Sequence, residues 1–109
     1  MKFHIDHQQD LIQISFIGDL DLEATELFEE ELIPKVKEVV NIHGVKLDLS
    51  EVPFVDSTGV GLLIHFVEEL KALETKVKLE NVRSEVYELF SLMQVGEILG
   101  IEVEQGTVS

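Results

Sequence analysis

The sequence predicts an α/β domain: a mostly parallel sheet with one antiparallel edge strand, elements in the order ββαβαβαβ, and helices packed against the sheet. Three observations predict it. Two short segments of alternating apolar and polar residues open the chain, as in a hairpin with one buried face. Strand-like and helix-like segments then alternate to the end, which favours parallel pairing through right-handed crossovers. With 109 residues and 45% hydrophobic residues, the chain has the size and apolar content to bury one core, so residues 1–109 are read as one domain.

The hairpin is placed at Phe3 to His7 and Leu11 to Ile17, around Gln8-Gln9-Asp10. After Gly18, the apolar positions Ala24, Leu27, Phe28, Leu32, Val36, Val39 and Val40 recur at steps of three and four, an amphipathic helix for which Asp21 is a suitable cap. Pro34 falls inside that pattern, where a lost hydrogen bond costs about 3 kcal/mol, so a kink or a restart is expected there. Val45 to Leu49 reads as a strand, Ser50 to Ser57 as a connection containing Pro53, and Thr58 to about Leu73 as a second helix. Val77 to Leu79 is a short strand, Ser84 to Met93 a helix, and Ile101 to Val103 a last strand.

Composition excludes several function classes. Acidic residues outnumber basic ones 22 to 8, a formal charge of −14 that repels nucleic-acid phosphates and anionic lipid surfaces. Direct nucleic-acid or membrane binding is therefore not expected. The absence of cysteine removes disulfides, thiolate metal sites and thiol catalysis. There is no signal-peptide run and no stretch of about 18 apolar residues, so a cytoplasmic location is expected. His4, His7, His43 and His65 fall in different elements without metal-ligand spacing, and no metal is expected. From Gly18 to Glu31 there are seven acidic residues and no basic one, either a solvated helix face or a docking face for a basic partner.

The run Leu47 to Ile64 is the most informative, because it turns polar only where a helix begins, at Asp56-Ser57-Thr58. These are favoured cap types, and Ser57 is read either as a plain cap or as a phosphoacceptor, since a phosphoryl group at a helix N-terminus meets free N–H donors and the positive end of the dipole. Gly59 and Gly61 permit either close approach of a partner or tight helix-on-sheet packing. Past them the helix is apolar nearly all round, with Val60, Leu63, Ile64, Val67 and Leu70 on one side and Leu62, Phe66 and Leu73 on another. The second stripe is either core or partner surface.

Enzymatic readings fail on specifics. Ser57 has no glycine two residues before it, and the nearest histidine, His65, lies two turns along the same helix, so neither a nucleophile elbow nor a relay is supported. Gly59-Val60-Gly61 lacks the third glycine of a dinucleotide fingerprint, and no phosphate-binding loop is present, so no cofactor is expected. Asp56-Ser57-Thr58-Gly59 is one residue too long for the Asp-Thr-Gly of dimeric aspartic proteases and runs into a helix. A phosphoaspartate receiver would carry adjacent carboxylates after its first parallel strand, whereas Asp48 reads as a mid-strand residue.

At Phe54-Val55-Asp56-Ser57-Thr58-Gly59-Val60-Gly61-Leu62-Leu63, preceded by Leu47-Asp48-Leu49-Ser50, the sequence resembles the STAS domain, specifically the stand-alone anti-sigma-factor antagonists of bacteria. Gly18-Asp19-Leu20-Asp21 with Thr25, and Asn81 to Val86, resemble that family's approaches to its first and third helices, so the likeness covers most of the chain. Leu73-Glu74-Thr75 departs from it, standing where many relatives have a glycine-rich turn. The resemblance implies a non-enzymatic switch. Ser57 would be phosphorylated by a partner that is both serine kinase and anti-sigma factor, and a metal-dependent serine phosphatase would reset it. The unphosphorylated form would bind the kinase and free the sigma factor. Contact roles are implied for Asp21, Asp56, Thr58, Gly59 and Gly61. The alternative is a STAS-like scaffold or small-ligand-sensing module outside a sigma-factor pathway.

Overall fold

The computed structural model describes residues 1–39 and 42–106. Val40, assigned to the first helix by its spacing, lies outside them. The elements are β1 (Lys2–Gln8), β2 (Leu11–Ile17), a 3-10 turn (Leu22–Ala24), a π-helical stretch (Leu27–Leu32), α1 (Ile33–Lys37), β3 (Gly44–Glu51), α2 (Ser57–Ala72), β4 (Lys76–Val82), α3 (Ser84–Leu92), α4 (Val95–Leu99) and β5 (Glu102–Gln105). The strands lie in sequence order, β1 antiparallel to β2 and the rest parallel. The fold is thus the mixed α/β sheet the pattern predicts, with one short helix, α4, added before the last strand. The last strand itself begins one residue later than expected and runs to Gln105.

Period-two alternation decides which side of the sheet is core. Ile14, Leu47, Leu79 and Val103 share one row across β2 to β5, and Gln13, Lys46, Lys78 and Glu102 the neighbouring row on the opposite face. In β2, β3 and β4 the first row is fully buried. The second is polar and partly exposed, so the helices cover a single face. Parallel sheets usually carry helices on both faces and read as continuous apolar runs. Here the strands alternate, and the uncovered face follows.

Pro34 acts as expected, by a specific route. It enters the first turn of α1, and the preceding turn widens so that the Ile33 N–H donates to the Phe28 carbonyl, five residues back. The wider turn moves the carbonyls away from the proline ring, which would collide with a helical carbonyl four residues earlier. Phe28, so placed, stacks on Phe16 at a centroid separation of 5.6 Å and an interplanar angle of 4°. Phe66 meets both edge-on, at 6.4 and 5.7 Å. This trio ties β2, the π-helical stretch and α2 together, each pair adding about 0.5–1.5 kcal/mol beyond its buried area.

The second stripe of α2 divides. Phe66 is core, Leu62 is half-buried, and Leu73 is exposed because it caps the helix beyond its last turn. Met93, assigned to the inner face of α3, likewise falls just past that helix and is partly exposed.

Candidate functional site

The site lies where β2 and β3 run out at their carboxyl ends, the end of a parallel sheet at which α/β proteins place ligands. Beyond Ile17 and Glu51 the two chains stay together. The Gly18 N–H donates to the Glu51 carbonyl at 2.9 Å, the Leu20 N–H to Phe54 at 2.9 Å, and the Asp56 N–H to Leu20 at 3.3 Å. Leu20 and Val55 form an isolated parallel bridge. One residue after each member of that bridge comes an aspartate that starts a helical turn.

Asp21 caps the 3-10 turn by accepting from the Glu23 N–H at 3.0 Å, and Thr25 closes it with a hydroxyl bond to the Leu22 carbonyl at 2.7 Å. Asp56 is the N-cap of α2, extended at φ −103°, and its Oδ1 accepts from the Gly59 N–H at 2.8 Å. Asp21 and Asp56 are both partly buried. Asp56, not Ser57, is therefore the side-chain cap, which leaves the Ser57 hydroxyl uncommitted. Ser57 is the first helical residue, and both it and Thr58 are exposed. The amides of Ser57 and Thr58 find no acceptor among the described residues and stand at the positive end of the helix.

The two glycines of the motif are unlike. A Cβ at Gly59 would sit 1.8 Å from the Leu20 carbonyl oxygen, so glycine there is what lets α2 lie against the strand extension. At Gly61 a Cβ would meet nothing within 4 Å. Packing inside the chain does not call for a glycine at position 61, and a helix interior disfavours one by roughly 0.5–1 kcal/mol.

Two large apolar side chains flank the site, Leu22 at 66% exposure and Phe54 at 51%. Leu22 carries no signal in the sequence, and Phe54 only stands at the head of the motif, since an apolar residue in an acidic loop has no period to reveal its exposure. The surroundings are acidic: residues 18–31 contain no lysine or arginine, and neither do residues 47–70. Asp48 lies in mid-strand, and its carboxylate accepts from the Ser50 N–H at 2.8 Å and from Asn81 Nδ2 at 3.0 Å.

Two histidines lie beside carboxylates away from this site. His43 Nδ1 lies 2.6 Å from Asp10 Oδ2 and helps hold that carboxyl below its ordinary range. His65 Nε2 lies 3.8 Å from Glu69. Among the described residues, no three His, Asp or Glu side chains gather as a metal ion would need. No helix there is long and apolar enough to cross a membrane.

The model of the STAS domain matches residues 2–106, nearly the whole described chain.

The chain belongs to the STAS domain family.

Among curated relatives, the anti-sigma-B factor antagonist of Bacillus subtilis is 24% identical over 106 residues, covering 95% of this chain and 94% of its own. Two solved STAS structures share the fold. A putative anti-sigma factor antagonist from Thermotoga maritima superposes with a TM-score of 0.80 at 18% identity, covering 94% of this chain and 86% of that one. The anti-sigma factor antagonist SpoIIAA in its unphosphorylated form gives 0.68 at 20% identity, covering 97% and 90%. SpoIIAA has also been solved in a phosphorylated form, with a TM-score of 0.67 at 21% identity, covering 94% and 90%.

Proposed function

We propose that this STAS domain is a cytoplasmic anti-sigma factor antagonist, a binding switch and not an enzyme. Unphosphorylated, it binds a serine-kinase anti-sigma factor and frees the sigma factor. Phosphorylation of Ser57 turns it off, and a metal-dependent serine phosphatase restores it. The observation that carries this reading is the uncommitted, exposed hydroxyl of Ser57 on the first turn of α2, with the cap supplied by its neighbour Asp56. Antagonist relatives aligned along the whole chain, one of them known in phosphorylated and unphosphorylated forms, support it. Asp21, Asp56, Thr58 and Gly61 form the contact surface, with Leu22 and Phe54 as its apolar anchors, while Gly59, expected at that surface, is buried against Leu20 and supports it from within.

Phosphorylation adds roughly 1.5 to 2 negative charges at a surface that already holds two aspartate caps. A partner carboxylate about 5 Å from the phosphate, at an effective dielectric near about 40, is repelled by about 3 kcal/mol. That is about a hundredfold in affinity.

The test is to incubate the chain with ATP and the serine-kinase anti-sigma factors of its source organism, then locate phosphate by peptide mass spectrometry. Stoichiometric modification at Ser57, with loss of kinase affinity, is expected. Ser57→Ala should stay bound, and Ser57→Asp should bind weakly. If no kinase binds or modifies the chain, the scaffold or ligand-sensing alternative takes its place.

A further inference from the structure

The chain has only seven lysines and one arginine, yet Lys46, Lys71, Lys76 and Lys78 line a single cleft of about 510 Å³. The cleft sits at the amino-terminal ends of β3, β4 and β5, the opposite end of the sheet from Ser57. Half of the basic charge of a −14 chain is therefore gathered at one place.

Their pairing is incomplete. Lys78 is committed to Glu104 at 2.5 Å and Glu102 at 3.6 Å, which hold its ammonium above the ordinary lysine range. Lys71 donates to the Leu99 carbonyl, a dipole that brings no counter-charge. Lys46 and Lys76 have no carboxylate within 4 Å among the described residues. Glu102 is the one carboxylate of the lining and is engaged by Lys78, so Lys46, Lys71 and Lys76 line the cleft without an ion-pair partner among the described residues.

Apart from Thr75 and Glu102, the remainder of the lining is apolar or bare. Leu11 and Ile101 contribute side chains, and Gly44, paired with Leu11, contributes none; a Cβ there would come within 3.2 Å of Leu11 Cδ1. The lysine stems add methylene surface. A concave site of this volume, mostly apolar with a few convergent charges, has the character of a small-molecule site, not of a flat protein interface.

We propose that this cleft binds a small anionic amphiphile. A carboxylate or phosphate head sits among Lys46, Lys71 and Lys76, and a short alkyl tail lies over Leu11, Gly44 and Ile101. The proposal is independent of the switch at Ser57, because the two sites occupy opposite ends of the sheet.

The test is titration of the isotopically labelled full chain with octanoate and octyl phosphate, each below its micelle concentration, read by amide chemical shifts. Acetate, inorganic phosphate and octyl glucoside serve as head-only and neutral-tail controls. Saturable shifts centred on Gly44, Val77 and Gly100 are expected for one or both anionic amphiphiles, at least about tenfold tighter than for any control. The tighter of the two identifies the head. Lys46→Gln with Lys76→Gln should weaken binding by about tenfold or more while leaving distant amides unmoved, and the exposed Lys76→Gln alone should do so in part. The proposal is overturned by absence of saturable shifts, by shifts centred elsewhere, by octyl glucoside or a head-only anion binding as tightly, or by lysine variants that bind like the parent.

Discussion

Substituting the two motif glycines by alanine separates a structural role from a surface role within one turn of helix. In Gly59→Ala the new methyl would stand 1.8 Å from the Leu20 carbonyl oxygen and 2.6 Å from its carbon, so the strand extension or α2 must retreat by about 1.2 Å or more to reach 3.0 Å. Leu20 is not free to move. It is held by bonds to Phe54 and Asp56, and its side chain is 1% exposed. Losing two backbone bonds costs about 1–3 kcal/mol, and overpacking adds about 1–3 kcal/mol, for a destabilisation of about 2–6 kcal/mol. That is a large part of the roughly 5–15 kcal/mol a domain of this size possesses. Gly61→Ala meets nothing within 4 Å and gains helix propensity, stabilising by about 0.5–1 kcal/mol, or a few degrees in Tm. Urea denaturation of both variants measures this directly, the midpoints moving in opposite directions at unchanged m. Gly59→Ala within about 1 kcal/mol of the parent, or Gly61→Ala less stable than it, would refute the packing argument. On the switch proposal, Gly61→Ala also loses affinity for the kinase despite its added stability, which no purely structural role explains.

Other outcomes follow from single contacts. Asp56→Ala removes the N-terminal side-chain cap of α2 and should cost about 1 kcal/mol, seen as a lower urea midpoint, with Asp56→Asn recovering most of it. Glu74 closes the turn after α2 at φ +61°, so Glu74→Gly should relieve left-handed strain and raise the unfolding free energy by about 0.5–1 kcal/mol. The Lys37 ammonium, 2.9 Å from Glu69, holds that carboxyl below its ordinary range. The depressed group contributes stability above its unfolded pKa and loses it as pH falls through the lower folded one, a small effect at this exposed pair. A carboxyl titration by NMR should show Glu69 returning toward the ordinary range in Lys37→Met.

Local chemistry was legible where one residue type answers one local demand. Alternation placed the hairpin, and Pro34 announced the restart that the wide turn before α1 provides. Asp21 was legible as a cap, although the turn it caps is 3-10 and not the start of a continuous helix. Val45-Lys46-Leu47-Asp48-Leu49 already carried the alternation of a one-sided sheet, a signal that distinguishes this sheet from the usual doubly covered kind. The short α4 escaped because five residues with a glycine among them show no helical period, and its first turn follows a left-handed Gln94. The strand β4 runs past the expected Leu79 because Asn81 adopts φ +56° and the pairing shifts register, returning Val82 to the core.

By itself, the sequence determined the class of fold, the acidic character of the site and the residue types at the start of α2, because these depend on period, charge and cap chemistry within a few neighbours. Which of those residues is committed and which is available was a tertiary decision. The bridge between Leu20 and Val55 brings the segments bearing Asp21 and Asp56 together, and it demands a glycine at position 59. Those relations join residues more than thirty positions apart, as does the gathering of lysines at the far end of the sheet. No local pattern encodes them, because they arise only when parallel strands are set in register.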